Sequence, residues 1–264
     1  MNDHELAAEL AATAGRMLLE LRATQQVERG DEPAARELAR RADRLSNDWL
    51  ISELAARRPA DAVLSEESED DPSRVGAPRV WIIDPVDGTY EFARQLADFA
   101  VHIALWDNAI NDFVAAAVSV PEHGVVWSTG AAPEPAQPTE RTHLTVVSSA
   151  RESAELRQRV AAALTPAAVE LGYAGVEFRQ LGSVGGKVHQ LLAGRADVYF
   201  NTTGFWEWDA AAPAAVAAHL GLTVSDLRGA TLRFNQLPPR VDSFVVARPH
   251  LHAPLIAALG ELPV

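Results

Sequence analysis

The run Val80-Trp81-Ile82-Ile83 is continuously apolar and passes directly into Asp84-Pro85-Val86-Asp87-Gly88-Thr89. Such a run reads as a buried strand. Two carboxylates at the end of a buried strand are costly unless donors or a cation meet them. Any fold this chain adopts must therefore bring something positive to that strand end. Oxygen-only ligands suit Mg²⁺, which keeps water positions open for phosphate substrates. Gly88-Thr89 adds unhindered backbone N–H groups where a helix can begin, which suits a phosphate. Carboxylates for a cation beside amides for phosphate point to metal-assisted phosphate ester hydrolysis.

The rest of the chain supplies the frame. Apolar residues at three- and four-residue spacing predict helices over 4–22 and 34–57, separated by the turn "RGDEP". Short strands are expected at 62–64 and 79–83, then at 100–106, 112–121 and 124–129. The segment 130–142, "GAAPEPAQPTERT", is the best linker candidate. Beyond it strands and helices alternate: 144–149, a helix near 152–164, 176–181, a helix near 183–193, 196–200, and a helix near 208–219. That rhythm predicts an α+β or mixed α/β fold with helices packed on sheets. Residues 1–135 form the expected first domain, with most metal ligands, and 136–264 the second, carrying Asp209 and substrate-binding residues.

Each acidic site has an ordinary alternative. "SEESEDD" around Glu66 and Glu67 is the kind of charge run that usually forms a solvated loop. Asp209 precedes an alanine-rich helix and suits an N-cap. Asp84 and Asp87 can each start a turn. Together these alternatives weaken, because several carboxylates follow buried strands. The spacing Asp-x-x-Asp-Gly-Thr also differs from the Asp-x-Asp-x-Thr of the haloacid-dehalogenase phosphatases. One extra residue in an extended segment turns a side chain to the other face, so no aspartyl-phosphate is expected.

Charge and composition narrow the function classes. A formal net charge of −13 argues against a nucleic-acid surface. No apolar stretch approaches the roughly 18 residues of a membrane span. The first helix, acidic at its start, reads as amphipathic rather than as a signal peptide. With no cysteine, disulfides, thiolate metal sites and cysteine nucleophiles are ruled out. The cytoplasm is the default location.

Three segments, "SEES" (65–68), "WIIDPVDGTYEF" (81–92) and "WEWDAAAP" (206–213), resemble in order and spacing the signatures of the inositol-monophosphatase superfamily of Mg²⁺-dependent, lithium-sensitive phosphatases. Within it, "DGTYEF", "LGSVGGK" (181–187) and "LRFNQL" (232–237) look like the actinobacterial 3'(2'),5'-bisphosphate nucleotidases of sulfur metabolism. The resemblance implies a layered α-β-α-β-α sandwich of the inositol-monophosphatase and fructose-1,6-bisphosphatase type. It implies two or three Mg²⁺ per site and hydrolysis of adenosine 3',5'-bisphosphate to AMP by a metal-activated water. By its residues, Glu66, Asp84 and the Val86 carbonyl bind one metal; Asp84, Asp87 and Asp209 bind the second; Asp87 and Asp209 share any third. Gly88 and Thr89 hold phosphate, Thr89 orients the water, Glu67 serves as a base or water ligand, and Asp43 supports Thr89. Ser183 and Lys187 face the nucleotide, and Ser148 and Ser149 meet a second phosphate. The expected partner is a small phosphate ester, a nucleotide, with no nucleic acid and no membrane; a homodimer is the assembly considered. The chain departs from the family pattern at Arg40, where Thr is usual, in the segment 29–41 around it, and at Tyr90, where Arg is frequent.

Other residues are read more plainly. Lys187 has a solvent-facing alternative. Trp206 and Trp208 are expected to pack around the metal loop, on opposite sides if extended. His102 reads as a sheet residue rather than a Mg²⁺ ligand. Two rival functions remain: a phosphatase for an inositol, sugar or specialised-metabolite phosphate, and a non-catalytic metal-binding regulator.

Overall fold

The computed structural model describes residues 1–25, 27–137 and 140–260. Residues 138 and 139 of the linker candidate and the last four of the second expected domain lie outside them. Two helices lead, α1 (Asp3–Thr24) and α2 (Glu32–Arg57). Asn2 and Glu5 form a capping box on α1; Asp31 caps α2, with Pro33 in its first turn. A five-stranded sheet follows, built from β1 (Ala62–Ser65), β2 (Arg79–Asp87), β3 (Ala100–Asp107), β4 (Asp112–Val120) and β5 (Val125–Ser128) in sequential order. The short helix α3 (Thr89–Ala93) lies between β2 and β3.

The second half contains β6 (Leu144–Ser149), α4 (Ala154–Glu170), β7 (Val176–Leu181), α5 (Val184–Leu192), β8 (Val198–Asn201), β9 (Phe205–Trp206) and α6 (Glu207–His219). It closes with β10 (Thr223–Ser225), β11 (Arg240–Val241), β12 (Phe244–Ala247) and α7 (Pro249–Leu259). The second sheet runs β10-β12-β8-β6-β7, and β9 pairs with β11.

Three apolar clusters stack these parts. Leu6, Leu10, Leu38 and Leu50 of α1 and α2 meet Trp81, Ile83, Ile103 and Leu105 on one face of the first sheet. Its other face, with Val80, Ile82, Ala104 and Val118, packs through α5 and α6 onto Val147, Tyr199 and Val246 of the second sheet. The far face of that sheet, with Val146, Val198 and Val245, carries Val160 and Leu164 of α4 and Leu251 and Leu255 of α7. The layers are α-β-α-β-α. Both sheets are covered on both faces, which is why their strands read as continuous apolar runs.

Three elements differ from expectation. Strand β2 runs to Asp87, past its expected end at 83, because a bulge lets pairing continue: Asp84 sits opposite His102 and Asp87 opposite Ala100. Helix α4 runs to Glu170 with Pro166 inside it. Val160, Leu164 and Ala168, spaced by four, keep one face buried and outweigh the lost backbone bond. Trp206 and Trp208 do not point apart. The chain is already turning into α6, so their rings stack at 5.2 Å and 16°.

Candidate active site

The bulge decides the geometry of Asp84 and Asp87. They are three positions apart on the strand, an odd step that would set their side chains on opposite faces. Their partners on β3 are only two apart, so β2 carries one extra residue, at Pro85-Val86. A proline is at home in such a bulge. Carboxyl oxygens of Asp84, Asp87 and Asp209 then lie within 4.8 Å of one another. Asp84 is 1% exposed and accepts the Val86 N–H at 3.0 Å. Gly88 follows at φ 85°, and a Cβ there would stand 2.9 Å from Ser183 Cβ. Only glycine suits both demands, and its carbonyl then accepts the Phe92 N–H that closes α3.

Asp209 arrives on α6, whose first turn is fixed by neighbours. The fully buried Glu207 accepts the N–H groups of Asn235 and Gln236, each at 2.7 Å. Asp209 is the third residue of the helix rather than its N-cap, and its carboxylate accepts the Trp206 N–H at 3.0 Å. Glu66, just after β1, is bonded to Asp84.

The electrostatics call for a cation. Burial, then the charges of Glu66, Asp87 and Asp209, push Asp84 well above the usual carboxylate range. Burial and Asp209 raise Glu66 to about 8, and burial and Asp87 raise Asp209 to about 6. Asp87 runs the other way. Burial would raise it, but His102 and the Gly185 N–H outweigh that and hold it low. Val184 and Gly185 N–H groups at the start of α5 donate to its oxygens at 3.1 and 2.7 Å, and His102 Nε2 stands 3.1 Å away. Four converging carboxylates with oxygen donors only are the donor set of a hard divalent cation, so the residues present fit one.

Gly185 holds that contact tightly. A Cβ there would sit 2.5 Å from His102 Nε2 and 2.6 Å from Ala100 Cβ, so Gly185→Ala must push α5 off β3. Thermal denaturation is expected to show a loss of about 1–3 kcal/mol, as for other overpacked cores. Unchanged stability would mean that α5 is not seated as described.

The remaining candidates divide. Thr89 Oγ1 lies 2.9 Å from the Val86 carbonyl and 3.3 Å from Asp43 Oδ1. Burial, then the charge of Glu67, lifts Asp43 to about 7; burial also raises Glu67. A cavity of about 250 Å³ is lined by Glu66, Asp84, Asp87, Thr89 and Asp209, with Ser149 at its wall. A neighbouring cavity of about 490 Å³ shares Ser149 and Asp209 and adds Lys187. Lys187 is buried, not solvent-facing; its ammonium donates to the Gly182 carbonyl at 2.7 Å. Ser183 is fully buried and caps α5 through the Gly186 N–H, and Ser148 is buried behind Ser149. Arg40 is exposed and pairs with Glu37, within its own helix.

Three further residues bear on the site. His102 sits in the apolar run of β3, where only the register with Asp84 and Asp87 reveals it. Glu207 lies inside "WEWDAAAP" and anchors Asp209's helix. Arg151 follows β6 and lines both cavities. Nothing in its local sequence marks it.

A buried acid cluster at a strand end, facing a Gly-Thr turn between two sheets, defines a class: cation-assisted phosphoric ester hydrolases. The model of the inositol monophosphatase family matches residues 2–263. A 3'-phosphoadenosine 5'-phosphate phosphatase of Mycobacterium leprae is 38% identical, covering 99% of this chain and 95% of its own. Its Mycobacterium bovis counterpart is 41% identical over 94% and 90%. The solved CysQ of Bacteroides thetaiotaomicron, a bacterial member of the inositol monophosphatase family, superimposes with a TM-score of 0.71 at 26% identity, covering 92% and 96%. The chain belongs to the inositol monophosphatase family, and it is a phosphoric monoester hydrolase. Among the described residues no helix is long and apolar enough to cross a membrane.

Proposed function

We propose that the chain is a Mg²⁺-dependent 3'(2'),5'-bisphosphate nucleotidase that releases the 3'-phosphate of adenosine 3',5'-bisphosphate. The observation that carries this reading is the convergence of Glu66, Asp84, Asp87 and Asp209 in one cavity beside Gly88 and Thr89. The substrate class rests on the two mycobacterial relatives. Glu66, Asp84, Asp87, Asp209 and the Val86 carbonyl are the residues that hold the cations. All-oxygen donors favour Mg²⁺ among divalent ions. When bound, the cations supply neutralisation of the phosphoryl charge and a lowered pKa for the attacking water.

The chain's own groups do the rest. Backbone N–H groups of Gly88 and Thr89 hold the phosphate oxygens and orient the ester. The Thr89 hydroxyl accepts from the attacking water once its own proton points to Asp43. With its carboxyl held at about 7, Asp43 can carry a proton near neutrality. Glu67, close enough to raise Asp43, is a second proton holder. In this reading residues 1–135 supply most of the charge, and 136–264 supply Asp209 and the substrate wall.

The test is a substrate panel with full-length protein and Mg²⁺. Phosphate release from adenosine 3',5'-bisphosphate is expected to exceed that from AMP or inositol 1-phosphate by at least about tenfold in kcat/KM, the scale of one charged contact. Faster turnover of inositol 1-phosphate would replace this reading with an inositol phosphatase. No release from any of the three would return the protein to a binding role.

A further inference from the structure

A bisphosphorylated substrate brings a second, unreacting phosphate to a chain of formal charge −13. The acid cluster would hold cations that neutralise the phosphate being cleaved. Something else must meet the other one, since a desolvated phosphate without a partner is costly. Among the residues lining the acid cavity, Arg151 is the one arginine or lysine. In the adjoining cavity it is joined only by Lys187, whose ammonium already donates to the Gly182 carbonyl. Arg151 makes no side-chain hydrogen bond and no ion pair among the described residues; its backbone N–H is fixed by Ser149 Oγ at 3.2 Å. Its guanidinium therefore stands at the junction of the two cavities with its donors uncommitted.

What holds it there is Tyr90. The Arg151 guanidinium lies 5.2 Å from the Tyr90 ring centroid, and that of Arg94 lies 3.5 Å from the same ring. Arg94 is in turn paired with Glu32 at the start of α2. Tyr90 is 47% exposed, so its ring is a platform at the cavity mouth rather than core filling. The chain Glu32–Arg94–Tyr90–Arg151 joins the helical layer to the loop after β6. A planar guanidinium on an aromatic face keeps its N–H edge free for a bidentate phosphate contact.

We propose that Arg151 is the specificity-determining contact for the non-scissile phosphate, with Tyr90 as the residue that positions it. The inference rests on the nucleotidase reading above, and the experiment separates the two. Adenosine 3',5'-bisphosphate and adenosine 3'-monophosphate differ only in the 5'-phosphate, so their kcat/KM ratio isolates that group. Wild-type protein is expected to favour the bisphosphate. In Arg151→Ala that ratio falls roughly ten- to a hundredfold, the cost of one charged hydrogen-bonded contact, and the loss appears in KM. Arg151→Lys recovers part of the ratio. Tyr90→Phe keeps it, whereas Tyr90→Ala lowers it.

Two results overturn the proposal and leave the nucleotidase reading intact. One is a wild-type preference that survives in Arg151→Ala. The other is an equal loss on both substrates, which would assign Arg151 to balancing buried Glu91. Wild-type protein that does not distinguish the pair also overturns the proposal, while the nucleotidase reading stands or falls with the substrate panel above.

Discussion

Asp84→Asn is expected to abolish divalent-dependent phosphate release, by about a thousandfold or more in kcat. The substitution keeps the shape, and the amide oxygen can still accept the Val86 N–H that shapes the bulge. What it removes is one of the charges that Glu66, Asp87 and Asp209 surround. Losing a charged ligand costs several kcal/mol of transition-state stabilisation, and each ~1.4 kcal/mol is tenfold in rate. In the absence of cations the variant is expected to be at least as stable as the wild type, because a buried carboxyl whose ionisation its neighbours oppose is replaced by a neutral amide. Retained turnover would remove Asp84 from the cation site. Lost turnover together with a collapse in melting temperature would trace the effect to folding instead.

Metal-free protein is expected to lose stability as pH rises from about 4 to about 8, and divalent cation to restore it most at the upper end. Glu66, Asp209 and Asp43 have folded-state values of about 8, about 6 and about 7, all above the ordinary carboxylate range they return to on unfolding. Between those limits the folded chain holds protons that the unfolded chain has released, so stability falls with rising pH. Asp87 contributes the opposite slope, because its folded value is lowered and its stabilisation is lost as pH falls. The three raised groups outweigh it. Cations bind the ionised carboxylates and so compete with these protons. At a hundredfold excess over Kd, Mg²⁺ is expected to raise the melting temperature by about 5–10 °C at pH 8 and by clearly less at pH 6. An equal rise at both pH values would show that these carboxylates are not the ligands.

Asp84 was legible without coordinates: an apolar run ending in two acids leaves few chemical options. The helices at either end of "RGDEP", the strands of the first sheet and β6, β7 and β8 of the second are legible too, from periodicity and turn residues; β10, β12 and α7 are not, and the layered architecture follows from the family resemblance. Helix α4 was not read to its end, since Pro166 is a local stop signal and the sheet beneath Ala168 is not visible in sequence. The stacking of Trp206 on Trp208 is hidden from the local sequence for a similar reason. It depends on where α6 starts, and Glu207's bonds to the distant Asn235 and Gln236 fix that point.

In "VWIIDPVDGT" residue type and order alone specify which groups are present: two acids, a carbonyl between them, and a Gly-Thr turn. They do not specify which way the acids face. Side-chain direction in a strand has a period of two, and Asp84 and Asp87 are an odd number of residues apart. Only pairing with His102 and Ala100 on β3 inserts the bulge that turns both toward Asp209, more than a hundred residues away in sequence and brought there by α6. The same holds for Arg151 and Tyr90, which share no motif and meet only in the fold, with the guanidinium 5.2 Å from the ring centroid. Local chemistry is written residue by residue; the sum of charges in one cavity is a property of the packed layers.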